Sequence, residues 1–422
     1  MSRPSRARLG QTFESFQNYN FRLYWCGQFI SRIGTWMQAV GQAWLVLELT
    51  NSPFALATVT ALQQGPVLFS SLFAGVVVDR LPKRRIMFVT QSLFLAQSST
   101  LAVLTITHHI QLWQIYILAF TMGCINVFDN PSQQAFVMEL VGREHIVNAV
   151  GLNSAQFNGA RLLGPAIGGL LIARWDVGVC FSLNAISYVS ALLALGLLRS
   201  REFQAVPPKR RREGVFTELG EGMRFIWNSP SSMVVVIVLA GIGTFGYNTG
   251  TVIPLLAEYS LHAGSRGYGF ILGALGLGCM IAGLGIAFRS RSSPGLLLAA
   301  GCVFGVLLLS VAYVPWLPLA VAIFVMLGAA IQTLMASGNT LLQLAAPDQL
   351  RGRVMSVYTL LMFGSTPIGA LFTGFWAERM GISATVALEA GLCIIAAGFG
   401  LLYSRSHDVS SARSEALAVS SA

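Results

Sequence analysis

Residues 295–342 read GLLLAAGCVFGVLLLSVAYVPWLPLAVAIFVMLGAAIQTLMASGNTLL, without one Asp, Glu, Lys or Arg and with a single break at Pro315 to Pro318. About 20 apolar residues cross the hydrocarbon of a bilayer at 1.5 Å per residue, so the stretch predicts two spanning helices, near 295 to 314 and 317 to 342, joined by a tight turn. Outward from it the pattern repeats. Earlier spans fall near 23 to 47, 54 to 78, 86 to 107, 112 to 137, 149 to 173, 178 to 198, 232 to 257 and 267 to 288, and later ones near 354 to 377 and 383 to 403. A membrane barrel would show alternating segments of about ten residues; the long apolar runs predict helices, so the chain reads as an all-α integral membrane protein with twelve transmembrane helices.

Composition agrees. Only 10% of residues are charged and 54% are hydrophobic, with a mean hydropathy of +0.65; soluble domains carry about a quarter charged residues. Lys and Arg collect in cytoplasmic loops. With the N-terminus inside, 22 of the 27 basic residues fall in loops on one side, which places both termini in the cytoplasm and the chain in the cell's inner membrane. The net charge of +10 follows from basic loops held against an anionic leaflet and is not a nucleic-acid signal. The segment Met1 to Asn20 lacks the short apolar core of a cleavable signal peptide, so the first span acts as the targeting signal. Cys26, Cys124, Cys180, Cys279, Cys302 and Cys393 stand singly in spans with no metal-ligand spacing, and read as small apolar packing residues.

The longest polar interruption divides the chain into an N-terminal six-helix lobe (1–198), a cytoplasmic linker (199–231), a C-terminal six-helix lobe (232–403) and a cytoplasmic tail (404–422). In the linker, Pro207 to Arg212 predicts a solvated basic run. Phe216, Leu219, Met223, Ile226 and Trp227 then recur at helical spacing beside Glu218, Glu221 and Arg224, the pattern of an amphipathic helix on the membrane surface; Phe13 to Phe21 forms a similar interfacial segment. The halves echo each other at an offset of about 200 residues: Gly142 and Arg143 followed by Gly164-Pro165, then Pro347 and Asp348 followed by Thr366-Pro367-Ile368-Gly369. Duplicated lobes related by an axis along the membrane normal predict a central cavity with a substrate site near mid-depth, exposed alternately to each side as the lobes rock.

Three charges lie well inside spans: Arg32, Asp129 and Arg161. Each costs about 2.5–3.5 kcal/mol at a helix centre on the insertion scale, so each must face protein or a wet cavity and find a partner. The short loop between the fourth and fifth spans favours pairing Asp129 with Arg161, as a buried lock or as part of transport. Proton uptake at Asp129 would then require that pair to break. Glu389 in the last span is the other carboxylate at membrane depth and a second candidate for coupling. Gln28, Ser31, Arg32, Thr35, Gln38 and Gln42 recur every three to four residues in the first span and predict a polar stripe lining the cavity. Asn126, Asn130, Asn153, Asn158, Asn248, Asn339 and Gln343 are expected to add to the lining, with Trp36 and Trp44 as apolar walls.

Two motifs carry a resemblance. Gly75-x-x-x-Asp79-Arg80-x-x-Lys83-Arg84-Arg85, between the second and third spans, resembles the signature of the major facilitator superfamily, with Pro82 in place of the usual glycine. Physically, Gly75 permits close helix approach and Asp79 can meet the positive N-terminus of a neighbouring helix. The resemblance implies that Asp79 and Arg80 latch the cytoplasmic gate. Gly164-Pro165-Ala-Ile-Gly168-Gly169 resembles the antiporter motif of exporters in that superfamily; small-residue packing alone would give a similar string. Over most of the chain, Asn20-Phe21-Arg22-Leu23-Tyr24-Trp25, Gly34-Thr35-Trp36-Met37-Gln38, Asp129-Asn130-Pro131, Leu152-Asn153-Ser154 and Arg351-Gly352-Arg353-Val354-Met355-Ser356 are similar to the enterobactin-exporter-like branch, where siderophore and macrolide exporters stand. Gln133 occupies a position where that branch commonly has arginine.

The resemblance implies a secondary active exporter of a small amphipathic molecule of drug or siderophore class, exchanging it for protons, acting as a monomer and needing no cofactor. Uptake of a metabolite, or movement of a lysolipid, is the alternative on the same scaffold. An enzyme would need a cluster of nucleophile, base or metal ligands, and His108 and His109 are adjacent rather than at ligand spacing; no phosphate-binding loop for ATP is present. A sensor would need a longer soluble segment than any loop provides.

Overall fold

The computed structural model describes residues 14–142, 144–204, 215–289, 293–347 and 349–407, which are helical with no strand among them. The first half contains α1 (Tyr19–Thr50), α2 (Pro53–Arg80), α3 (Lys83–Ile106), α4 (Leu112–Val141), α5 (Ile146–Arg174) and α6 (Val177–Leu197). After α7 (Val215–Trp227) the second half begins with α8 (Pro230–Gly241) and α9 (Thr249–Leu255), each followed by a π turn, Ile242–Gly246 and Leu256–Ser260. Then come α10 (Gly264–Arg289), α11 (Pro294–Val311), α12 (Leu317–Ala345), α13 (Arg351–Thr359), a π turn at Leu360–Gly364, α14 (Thr366–Met380) and α15 (Ile382–Ser406).

Local chemistry sets the turns. Asn18 caps α1 by accepting from the Phe21 N–H at 3.0 Å, and Asn51 ends it in the left-handed region at φ 48°, a conformation asparagine tolerates. Ser52 caps α2, with Pro53 in its first turn, where a missing N–H costs nothing. Three residues thus reverse the chain. The helices extend past the apolar runs, α1 reaching 19–50 where hydropathy marks 23 to 47, because polar ends continue the helix into the headgroup zone.

Among the described residues eight helices, counting α13 and α14 as one span, are long and apolar enough to cross a membrane, and nine if the bent pair α7 and α8 is counted. Twelve passes follow from the remainder. α1 and α5 carry polar residues along their length, and the expected seventh span is split into α8 and α9 by a π turn containing Gly243 and Gly246. The expected eleventh span is likewise split before Pro367, which enters α14 in its first turn. By contrast α4 and α5 continue through Pro131 and Pro165.

Within the first half α1 packs on α5 and α6, α2 on α4, and α3 on α4 and α6; within the second, α12 packs on α10 and α11, and α15 on α8 and α11. Two seams join the halves, α5 against α10 and α2 against α14. In the first seam a Cβ on Gly169 would stand 2.6 Å from the Ser265 carbonyl and 2.9 Å from Gly269 Cα, and one on Gly269 would stand 2.6 Å from the Pro165 carbonyl. Backbones meet there with no room for a side chain. At the second seam Glu378 accepts from the Ser52 hydroxyl and faces the Phe54 N–H at the start of α2, and the Tyr259 hydroxyl donates to the Asn51 carbonyl at 2.9 Å. These contacts all lie toward the end of the bundle farthest from the chain termini. Toward the other end Val147 and Val150 of α5 are 83% and 53% exposed, and among the described residues nothing lies within 4 Å of a Cβ on Gly151 or Gly285. Among the described residues the halves meet toward one end and are parted toward the other.

The amphipathic linker helix exists as α7, though the side chains of 215–219, including Phe216, Glu218 and Leu219, and the basic run 209–212 lie outside the described residues. It meets the bundle at a bend of 113°. Ile226 is buried, Trp227 is exposed, and Glu221 pairs with Arg353 of α13, so α7 is docked on the second half along one side.

Gly169→Leu should wedge the α5–α10 seam. Cysteines at Thr60 and Thr251, whose hydroxyls face each other across the halves at 3.3 Å, report closure in a background lacking the native cysteines. Oxidative cross-linking should be rapid when Gly169 is retained and several-fold slower in the Gly169→Leu variant; equal rates would mean the glycine contact does not govern closure.

Candidate functional site

The stripe on α1 divides in two. Gln28, Ser31, Arg32, Thr35 and Trp36 face a cavity of about 180 Å³, completed by Gln91 and Phe94 of α3, Asn126, Asp129, Asn130 and Gln133 of α4, Phe157 of α5 and Tyr188 of α6. Gln38 and Gln42, expected in the lining, are outside it. Gln38 is fully buried: its Nε2 donates to Gln97 at 3.1 Å while its Oε1 accepts from Ser98 and Asn184, both at 2.7 Å. Gln42 accepts from Gln63 at 3.1 Å. The same helical period therefore runs from a wet cavity into a dry polar clasp, because α3 and α6 converge on α1 there. Asn153 and Asn158 also fall outside the cavity, Asn158 bonding its own helix at Ser154. Trp44 is buried in the core and donates to Glu48. Asn248 is buried in the second half against Thr244, and Asn339 and Gln343 bond each other at 2.6 Å.

Asp129 is held by three donors: Thr90 Oγ1 at 2.6 Å and Gln91 Nε2 at 3.2 Å on one oxygen, and Gln133 Nε2 at 2.6 Å on the other. Gln133 turns its Oε1 to Arg32 Nη2 at 2.5 Å. Its amide thus joins the carboxylate to Arg32, each end in its proper sense.

The expected Asp129–Arg161 pair is not formed. Asp129 points from α4 toward α3, whereas Arg161 lies on the side of α5 that meets α1 and the second half. The Arg161 guanidinium stacks 5.8 Å from the Trp36 ring and stands near Tyr247, which follows the first π turn of the second half. Arg32 stands 5.7 Å from the Phe157 ring, and Phe157 meets Trp36 edge to face at 5.9 Å. The two arginines are therefore linked through two aromatic rings along one wall, a cation–π arrangement favoured by exclusion of water. Phe94 and Tyr188 stack at 5.4 Å on another wall.

Gly164 and Gly168 lie on the α1 side of α5: a Cβ on Gly164 would meet Trp36 Cβ at 2.5 Å and the Ile33 carbonyl at 2.7 Å, and one on Gly168 would meet Met37 Cα at 3.3 Å. The motif Gly164 to Gly169 thus presents one face to α1 and, through Gly169, another to the second half. Glu389 is fully buried in α15, accepts from Thr373, and has a second oxygen without a partner. It lies in the second half, away from the cavity.

Of the loop signature, the side chains of Gly75 and Asp79 lie outside the described residues. Arg80 and Arg85 are exposed. Lys83 stands 3.8 Å from Glu139 of α4. Arg84 reaches the end of α6, donating to the carbonyls of Leu195 at 2.9 Å and Gly196 at 3.0 Å, where unpaired carbonyls and the helix dipole favour a cation. Among the described residues no group of three His, Cys, Asp or Glu is placed to hold a metal.

Sequence reasoning missed Thr90, Gln91, Phe94, Tyr188, Phe157 and Tyr247. Thr90-Gln91 inside an apolar span was the available signal; the aromatic residues carried none, since such rings also serve packing.

A double-mutant cycle tests the connectivity. Arg32→Gln and Asp129→Asn should be coupled by about 0.5–3 kcal/mol in thermal or denaturant stability, whereas Arg161→Ala and Asp129→Asn should add within about 0.5 kcal/mol. The reverse pattern would restore the Asp129–Arg161 pair.

A family described as transmembrane secretion effector matches residues 10–420 of the chain. The multidrug efflux pump Tap of Mycolicibacterium fortuitum is 28% identical over 360 residues, covering 83% of this chain and 88% of that one. The staphyloferrin A transporter of Staphylococcus aureus is 24% identical, covering 87% and 92%. Among solved structures, a bacterial homologue of the human lysosomal transporter Spinster, in an inward-facing and unoccupied conformation, superposes with a TM-score of 0.67 at 14% identity, covering 96% of this chain and 98% of that one.

Proposed function

The chain belongs to the transmembrane secretion effector family of the major facilitator superfamily, and from that membership we propose that this transporter exports a small amphipathic molecule of drug or siderophore class by alternating access, in exchange for protons. The observation that carries the reading is the polar, aromatic-walled cavity of α1, α3, α4, α5 and α6, set in a bundle whose described residues join the halves mainly toward one end. Relatives named as a multidrug efflux pump and a macrolide efflux protein support its direction, and one named as a staphyloferrin A transporter bears on the substrate class.

We place both termini in the cytoplasm of a cell bounded by an inner membrane, on the asymmetry of basic loops. The parted end then faces inward, and the cavity stands open to the side from which an exporter loads. The two six-helix lobes, 1–198 and 232–403, rock about the α5–α10 and α2–α14 seams, with the linker 199–231 and tail 404–422 on the cytoplasmic side. Asp79 and Arg80 act at the inner gate when it shuts, Asp79 meeting the N-terminus of a neighbouring helix. Gly164, Gly168 and Gly169 keep α5 close to α1 and α10 so that a shift of one is felt by the other. Asp129 and Glu389 are the carboxylates at membrane depth available to exchange protons: Asp129 is coupled to the cavity through Gln133 and Arg32, and Glu389 carries a vacant oxygen in the moving second half. The protein works as a monomer.

In a host stripped of its own pumps, expression should lower accumulation of labelled dyes, macrolides or siderophores, and a protonophore should abolish the difference. Unchanged or raised accumulation would remove the export reading and move metabolite uptake or lysolipid movement forward. Asp79→Asn should slow transport and leave cysteines placed in the cavity reachable from the cytoplasm through more of the cycle; unaltered transport and accessibility would sink the latch assignment.

A further inference from the structure

The charges at mid-depth do not balance. Against Arg32 and Arg161 the first half sets one carboxylate at this depth, Asp129, whose oxygens already accept from Thr90, Gln91 and Gln133. Neither arginine forms an ion pair among the described residues, and the Nε of each is buried without an acceptor. Arg161 is only 5% exposed, and its neighbours Trp36, Tyr247 and Cys279 are uncharged groups. Glu389, with one oxygen accepting from Thr373 and the other without a partner, lies in the second half and pairs with neither arginine. The first half therefore holds one more arginine than carboxylates at a depth where an uncompensated ion is costly, and the arginine that lines the cavity is Arg32, beside the already bonded Asp129.

We infer that the cavity is built for an amphipathic organic anion, whose carboxylate, sulfonate or phosphate meets Arg32 while its planar body lies between the Phe157–Trp36 and Phe94–Tyr188 walls. This rests on the reading of the protein as a transporter of amphipathic small molecules and narrows it by charge. The guanidinium fork suits such groups, since its donors are planar and always charged. A cationic ligand would face Arg32 directly and find Asp129 with its oxygens already used. A neutral ligand would leave the surplus charge unmet. A cavity of about 180 Å³ takes a ring system and its acidic group, and the parted end leaves room for whatever extends beyond. Gln133 sharpens the preference: as a neutral amide between Arg32 and Asp129 it keeps the carboxylate from reaching the guanidinium, so Arg32 retains donors for a ligand.

The test uses two dyes with the same tricyclic core and opposite charge, fluorescein and tetramethylrhodamine methyl ester, titrated against the purified full-length protein in lipid nanodiscs by fluorescence anisotropy. Fluorescein should bind at least about tenfold more tightly than the cationic ester, a difference within reach of one charge-assisted contact. Arg32→Gln should remove that preference by weakening fluorescein and tightening the cationic ester, whose retained binding also shows that the variant is folded, and Arg32→Lys should keep part of the preference. Arg161→Gln should weaken fluorescein by a smaller factor. Tighter binding of the cationic ester, equal binding of both, or a preference that survives Arg32→Gln would overturn the inference. Vesicle transport separates it from the export reading: anionic preference in binding with no dye moved leaves the site and removes export, whereas export of the cationic ester with fluorescein neither bound nor moved leaves export and removes the site.

Discussion

A bilayer interior supplies no water to a polar group, so every amide, hydroxyl and guanidinium on the spans must be answered by another part of the chain or by a cavity. The polar stripe of α1 is where that demand is heaviest, and the first half is arranged around meeting it. At Gln38 the answer is protein: an amide with both ends used, by Gln97, Ser98 and Asn184. Two turns toward the termini, at Ser31 and Arg32, α3, α4 and α5 stand far enough off for a cavity instead. One helix, with one periodicity, therefore supplies both the clasp that fixes its neighbours and the wall of the site.

Close approach is the second constraint, and α5 bears it on two sides. Gly164 admits Trp36 of α1, which brings that ring over Arg161 and against Phe157. Gly169, little more than one turn further, admits the backbone of α10. Because the same short stretch sets the position of a cavity wall and the seam between the halves, displacement of α10 against α5 cannot leave Trp36 and Arg161 untouched. Tyr247 completes the connection, since it stands near Arg161 in a segment where the helix is already broken by a π turn. A site residue and an irregular, easily deformed backbone meet at one contact.

The sequence made the twelve passes and the two-lobe plan legible because apolar runs of spanning length have few other uses. It also marked Arg32, Asp129, Arg161 and Glu389, since charges at that depth stand out against Leu, Val and Gly. What it could not give was azimuth. Arg161 and Asp129 sit on adjacent spans, which made them partners on proximity, yet a helix places successive residues about 100° apart, and a few residues of phase decide whether two side chains meet or face different neighbours. The same limit explains Gln38, Gln42 and Asn153: period identifies the polar face, but whether that face meets protein or open space depends on how closely other helices converge. The π turns were hidden for a related reason, because Gly243, Gly246 and Pro367 are compatible with a continuous apolar span until packing decides.

Gln133 shows how a single departure from a family pattern can be read physically. An arginine there, as in the branch the chain resembles, would sit one helical turn from Asp129 on α4 and could neutralise it directly, leaving Arg32 to face a second cation. Glutamine instead donates to the carboxylate and accepts from Arg32, so the acid of the cavity and its lining base are joined without touching. An amide in that position reports the state of one to the other: any change that takes the Asp129 oxygen away from Gln133 Nε2 frees the amide to turn, and a turned amide offers Arg32 a donor where it had an acceptor. The hydrogen bonding of Arg32 is thereby tied to that of Asp129 on the same cavity wall, through a group that itself carries no charge.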